Sequence, residues 1–128
     1  MNQFTLIFAA FFGMLAIIIG AFGAHALKKI FNEDQQKSFE TGVKYQMYHA
    51  IVLLLLGFQL KFTQPIENYI VYCFISGIVL FSFSIYGLVI SSSRNKKLRF
   101  LGPITPLGGL LLTIGWGMLL YFSATNFQ

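Results

Sequence analysis

Apolar residues dominate four stretches of the chain, about 4–24, 43–60, 69–90 and 104–122, with most of the charged residues gathered between them. The first, Phe4 to Ala24, contains no charged side chain. At ~1.5 Å per residue it covers about 30 Å, the thickness of a hydrocarbon core. The third, Tyr69 to Ile90, is also uncharged, and the fourth runs from Ile104 to Phe122. The second is the least apolar. Its clean run is only Ala50 to Phe58, so it must borrow the turns carrying Tyr45, Gln46, Tyr48 and His49. Backbone groups in lipid must be satisfied within the segment, which selects helices. The pattern predicts an all-α polytopic membrane protein: a four-helix transmembrane bundle forming one domain over residues 1–128.

The segment between spans one and two has helical signals of its own. Asn32 can cap a helix, Glu33 and Asp34 fall in its first turn, and Gln35 can reach back to complete a capping box. This predicts a cytoplasmic interfacial helix that bends near Gly42 into span two, or one long tilted helix in its place. Ser91 to Arg99 reads as a polar connector, and Pro103 and Pro106 suit the first turns of span four.

Charge orients the spans. Every Lys and Arg except Lys61 lies on one side: Lys28, Lys29, Lys37 and Lys44 in one segment, Arg94, Lys96, Lys97 and Arg99 in the other. By the positive-inside rule the segments at about 25–44 and 91–102 are cytoplasmic and both termini external, in a bacterial plasma (inner) membrane. Tyr69, Tyr72, Trp116 and Tyr121 then belong to the outer interface, and Tyr45, Tyr48 and Tyr86 lie toward the inner one. Ala24-His25-Ala26 mimics a signal-peptidase site. Lys28 and Lys29 follow the apolar run rather than precede it, so span one reads as a retained anchor.

Composition fits lipid as the solvent. The chain is 56% hydrophobic and only 10% charged, against about a quarter charged in soluble domains. Its net charge of +5 sits at span ends, facing anionic headgroups, so nucleic acid is not an expected partner. The partners expected are the bilayer, with a homo-oligomer or larger membrane complex as the alternative to a monomer. The one cysteine, Cys73, excludes an internal disulfide.

Close backbone approach must hold helices together in lipid. Gly13, Gly20 and Gly23 line span one with Ala16, and Gly109 and Gly117 line span four with Thr105 and Thr113. Such seams serve packing within the monomer or self-association. The polar residues are predicted to converge toward the cytoplasmic half: His25, Tyr45, Gln46 and His49 from spans one and two, Ser84 and Tyr86 from span three, Thr105 from span four. Polar groups at membrane depth either hydrogen-bond the helices together or form a ligand site. Two histidines without a carboxylate inside a span fall short of a metal ligand set, and no cofactor is expected.

Four blocks carry a resemblance: Gly20-Ala21-Phe22-Gly23-Ala24-His25; Phe39 to Gly42 with Tyr45 to Ala50; Phe81 to Tyr86; and Leu101 to Gly109 with Gly115-Trp116. In this order they resemble the small bacterial membrane proteins called domain of unknown function 423, to which eukaryotic transmembrane protein 256 is similar. The resemblance implies a four-span inner-membrane protein of unassigned activity, and it supplies no catalytic residue. The expected role is non-enzymatic, structural or binding, for a lipid, small ligand or partner subunit. The alternative is a small transporter or channel with a polar cytoplasmic vestibule.

Overall fold

In a computed structural model that describes residues 1–126, every regular element is helical. The order is α1 (Asn2–His25), α2 (Glu33–Gln59), α3 (Pro65–Ile78), a π-helical turn (Val79–Phe83), α4 (Ser84–Ser93), a 3-10 turn (Arg99–Leu101) and α5 (Ile104–Asn126). α3, the π turn and α4 follow one another without interruption and make one rod. By length and composition three stretches can cross a membrane: Asn2–His25, Pro65–Ser93 and Arg99–Asn126. α2 is not among them, because its first half carries charged residues, Gln46 and His49. Its 27 residues still make it about 40 Å long.

The expected interfacial helix is not a separate element. α2 runs unbroken from Glu33 through Gly42 to Gln59, so that segment forms its first turns. The capping box forms as the residue types dictate: Asn32 Oδ1 accepts from the Gln35 N–H at 2.8 Å, and Gln35 Oε1 accepts from the Asn32 N–H at 3.0 Å. Gly42 marks a close approach rather than a bend, since a Cβ there would lie 2.7 Å from the Tyr86 ring. At the start of α3, Pro65 sits where its missing N–H costs nothing. Two residues on, the Glu67 carboxylate accepts from the backbone N–H groups of Lys61, Phe62, Thr63 and Gln64 at 3.2, 3.1, 2.7 and 2.8 Å. These bonds hold the 60–64 loop, including Phe62 in the left-handed region at φ 55°.

Side-chain bonds define two ends of the molecule. At one, Asn2 Nδ2 donates to the Gly57 and Leu60 carbonyls, both at 2.9 Å, and Gln64 Nε2 donates to Asn126 Oδ1 at 2.7 Å. The start of α1, the 60–64 loop and the end of α5 therefore lie together. At the other end Gln35 Nε2 donates to Ser92 Oγ at 3.3 Å, joining the start of α2 to the end of α4.

α1 packs along α2, α5 packs along the α3–α4 rod, and α2 packs on that rod; α1 and α5 form no packed pair. The middle of the bundle is thus α2 and the rod, with α1 and α5 flanking. Accordingly 44% of the rod's most apolar window is buried, against 22% for α1 and 17% for α5. Ala9, Phe12, Leu53, Ile70, Phe74, Ile78 and Leu112 fill the core. The least apolar helix is therefore the one flanked by α1 on one side and the rod on the other.

Candidate functional site

Four sets of hydrogen bonds cross between helices, from the middle of the molecule toward the end where α2 begins. Gln46 is fully buried on α2. Its Nε2 donates to the Phe12 carbonyl of α1 at 2.8 Å, and its Oε1 accepts from the Tyr86 hydroxyl of α4 at 2.7 Å. Ser82, in the π turn, donates to the Gly42 carbonyl of α2 at 2.7 Å. The Ser84 and Thr105 hydroxyls pair at 2.6 Å between α4 and α5. Trp116 of α5 donates its indole N–H to His49 Nε2 on α2 at 3.1 Å, and His49 Nδ1 lies 2.7 Å from the Tyr45 carbonyl. An indole N–H can only donate and a carbonyl can only accept. These partners therefore assign the neutral imidazole with its proton on Nδ1. Phe74 completes this corner, its ring centroid 5.5 Å from Trp116 and 5.6 Å from His49.

The predicted cluster is brought together in part. Gln46 and Tyr86 bond directly, as do Ser84 and Thr105, and His49 lies on the same face of α2 as Gln46. His25 does not join them. It is exposed at the end of α1, because the helix stops there before the loop to α2. The two histidines do not converge on a shared ligand, and both ring nitrogens of His49 are occupied by Trp116 and Tyr45. Tyr45 contributes its carbonyl; its side chain is 43% exposed and lies against Phe81 at 5.1 Å. Among the described residues no group of three or more His, Cys, Asp or Glu side chains is placed to hold a metal ion.

Trp116 is absent from the predicted cluster and was expected at the outer interface. It lies about three turns past Ile104, level with His49, which the rise per residue along α5 gives directly. The seam on α5 also differs from expectation. Gly117 has nothing within 4 Å of its Cβ direction, and Gly109 makes only ordinary contact with Phe81 at 3.7 Å. The close approach is through Gly108, which meets the Phe81 backbone in the π turn, and Gly115, which meets Phe74. Adjacent positions on a helix differ by about 100° in direction, so the stripes through Gly108 and Gly109 face different ways. On α1 the expected seam does face α2: Gly13 meets Ala50, Gly20 meets Val43 and Gly23 meets Phe39.

A second feature lies at the basic end. A cavity of about 440 Å³ opens between the first turns of α2, one face of α4, the connector and the start of α5. This lies within the ~300–1,000 Å³ of small-molecule sites. Its floor is Ile85, Leu88 and Val89, with exposed Pro106 at the edge; its rim is Asp34, Gln35, Ser38, Ser92 and Lys97. Thr105, fixed by Ser84, adds a hydroxyl at depth. The rim combines a carboxylate, an ammonium, two hydroxyls and an amide over an apolar base, which suits an amphiphile. In the sequence Asp34 reads only as a helix-start residue and Lys97 only as a topology charge. Their convergence depends on α2 beginning beside α4, which no local pattern encodes.

The profile of a family described as protein of unknown function, DUF423, matches residues 19–109. A UPF0382 membrane protein of Staphylococcus aureus is 37% identical over 115 residues, 90% of each chain. A UPF0382 membrane protein of Staphylococcus epidermidis is 38% identical over 111 residues, 87% of each chain. The UPF0382 inner membrane protein YgdD of Escherichia coli K12 is 36% identical over 120 residues, 93% of this chain and 88% of that one. No solved structure matches.

Proposed function

The chain belongs to the DUF423 family of membrane proteins of unknown function, and from that premise we propose that it is a four-span, non-enzymatic binding component of the plasma (inner) membrane whose ligand is an amphiphile held in the groove at the basic end. In this reading α2 is the fourth span. Its support is that α2 packs antiparallel along α1, which is long and apolar enough to cross. Both termini are external and the segments at about 25–44 and 91–102 cytoplasmic, on the strength of the Lys and Arg bias. The non-enzymatic role rests on the inter-helix bonds: Gln46, Tyr86, His49 and Ser84 spend their polar groups on neighbouring helices. A transport path finds little support, because Leu53, Ile70, Phe74 and Ile78 fill the middle.

The observation that carries the proposal is the groove, with an apolar floor of Ile85, Leu88 and Val89 beneath a charged and hydroxylated rim. Native mass spectrometry of protein released from mild detergent tests it. Wild-type protein is expected to retain a lipid-sized adduct. Ser38→Trp, made at an exposed position on the rim of the groove, is expected to lose it without a change in melting temperature. Equal retention by the two proteins would refute the groove as the binding site.

A further inference from the structure

The groove has charges of opposite sign on different walls. Asp34 belongs to the first turn of α2, whereas Lys97 belongs to the connector after α4. Each has a hydroxyl on the same wall or beside it: Ser38 one turn along α2 from Asp34, and Ser92 near the end of α4. Ser92 Oγ accepts from Gln35 Nε2 at 3.3 Å and so keeps its own hydrogen to donate. A purely anionic head would gain Lys97 but face the Asp34 carboxylate. A purely cationic head would meet the reverse. A head carrying both charges satisfies both walls, and the apolar floor of Ile85 and Val89 suits a chain attached to that head.

Resting on the amphiphile reading above, we propose that the groove selects a zwitterionic phospholipid with a primary amine, its ammonium at Asp34 and Ser38 and its phosphate at Lys97 and Ser92. An ammonium brings three donors, which a carboxylate and a hydroxyl can accept. A phosphate diester brings acceptors, which Lys97 and Ser92 can satisfy. The groove opens at the basic end, where lipid headgroups lie if the chain is oriented as proposed.

The test uses the full chain in mixed micelles with phosphatidylethanolamine, phosphatidylglycerol or phosphatidylcholine of identical acyl composition, read by native mass spectrometry. Wild-type protein is expected to retain phosphatidylethanolamine about fivefold over either competitor: phosphatidylglycerol lacks the cation that meets Asp34, the scale of one charge contact near a membrane surface, and phosphatidylcholine keeps the cation but has no N–H to donate, the scale of one hydrogen bond. Asp34→Asn is expected to abolish that preference, shifting retention toward phosphatidylglycerol. The exchange Asp34→Lys with Lys97→Asp, which presents the same charges to a reversed head, is expected to restore it. Equal retention of the three lipids by wild type, with Ser38→Trp still expelling them, would overturn the headgroup assignment and leave the groove reading standing. Indifference to Ser38→Trp would overturn both.

Discussion

Gln46 makes the clearest case at the scale of one residue, because its amide uses both ends on different helices. With its side chain fully buried, it ties α1 through Phe12 and α4 through Tyr86. In lipid such a bond contributes on the order of 1 kcal/mol, since the unfolded chain in a membrane finds partners too. Leaving a buried hydroxyl without a partner costs more than the bond itself is worth, about 1–3 kcal/mol. Gln46→Leu therefore orphans the Tyr86 hydroxyl and is expected to destabilise the bundle by about 2 kcal/mol. Adding Tyr86→Phe removes the orphan, so the double variant is expected to be more stable than Gln46→Leu alone. Thermal unfolding in detergent, followed by circular dichroism for the two single variants and the double, measures this coupling. Strict additivity would mean that the two side chains act independently. His49 follows the same logic about one turn further along the same face of α2, fixed as a neutral acceptor by the one tryptophan of the chain.

At the scale of elements, the helices and their caps were legible because the cause is local. The α2 capping box and the uncharged runs of α1 and the rod are set by residues a few positions apart, whereas the start of α3 at Pro65 lies four residues before the predicted span. Rotation of a helix about its axis was not legible on α5. Gly108 and Gly109 are neighbours in sequence, and either can begin a stripe of small residues at spacings of three and four. What chooses between them is the π turn, whose Phe81 backbone meets Gly108 across the interface, and nothing in Val79–Phe83 announces that extra residue per turn. The polar residues were legible as a set because membrane depth makes each one costly. Their pairing was not, since it depends on α1 and α5 flanking α2 and the rod rather than closing on each other. The difference is measurable. Gly108→Leu must displace backbone of the π turn and is expected to cost about 3 kcal/mol or prevent folding, as overpacking does. Gly117→Leu, directed into open space, is expected to change stability by less than about 0.5 kcal/mol. Comparable losses in both variants would place Gly117 in an interface between copies.

For the whole molecule, the arrangement of ends bears on how many times the chain crosses. The 60–64 loop bonds Asn2 at the start of α1, through Leu60, and Asn126 at the end of α5, through Gln64. If α2 lay on the membrane surface, three crossings would leave those two residues on opposite sides, and the loop could not reach both. An even number of crossings, with α2 shielded between α1 and the rod, is compatible with both bonds. In the proposed orientation the Lys and Arg bias sets which side the shared end faces. Moving a charge count is the direct test of that choice, because short-loop Lys and Arg set orientation while Asp and Glu contribute little. A reporter active only outside the cytoplasm, fused after Gln128, is expected to be active in the wild-type chain. Replacing Arg94, Lys96, Lys97 and Arg99 by Gln, and placing Lys at Thr63 and Gln64, removes half of the bias and builds a competing one. The fused reporter is then expected to lose most of its activity as part of the population inverts. Lys28, Lys29, Lys37 and Lys44 still hold the first hairpin, so the loss is expected to be partial, and neutralising these four as well should complete it. A reporter silent in the wild-type chain and active in the fully neutralised one would reverse the proposed orientation while leaving the bundle and its groove as described.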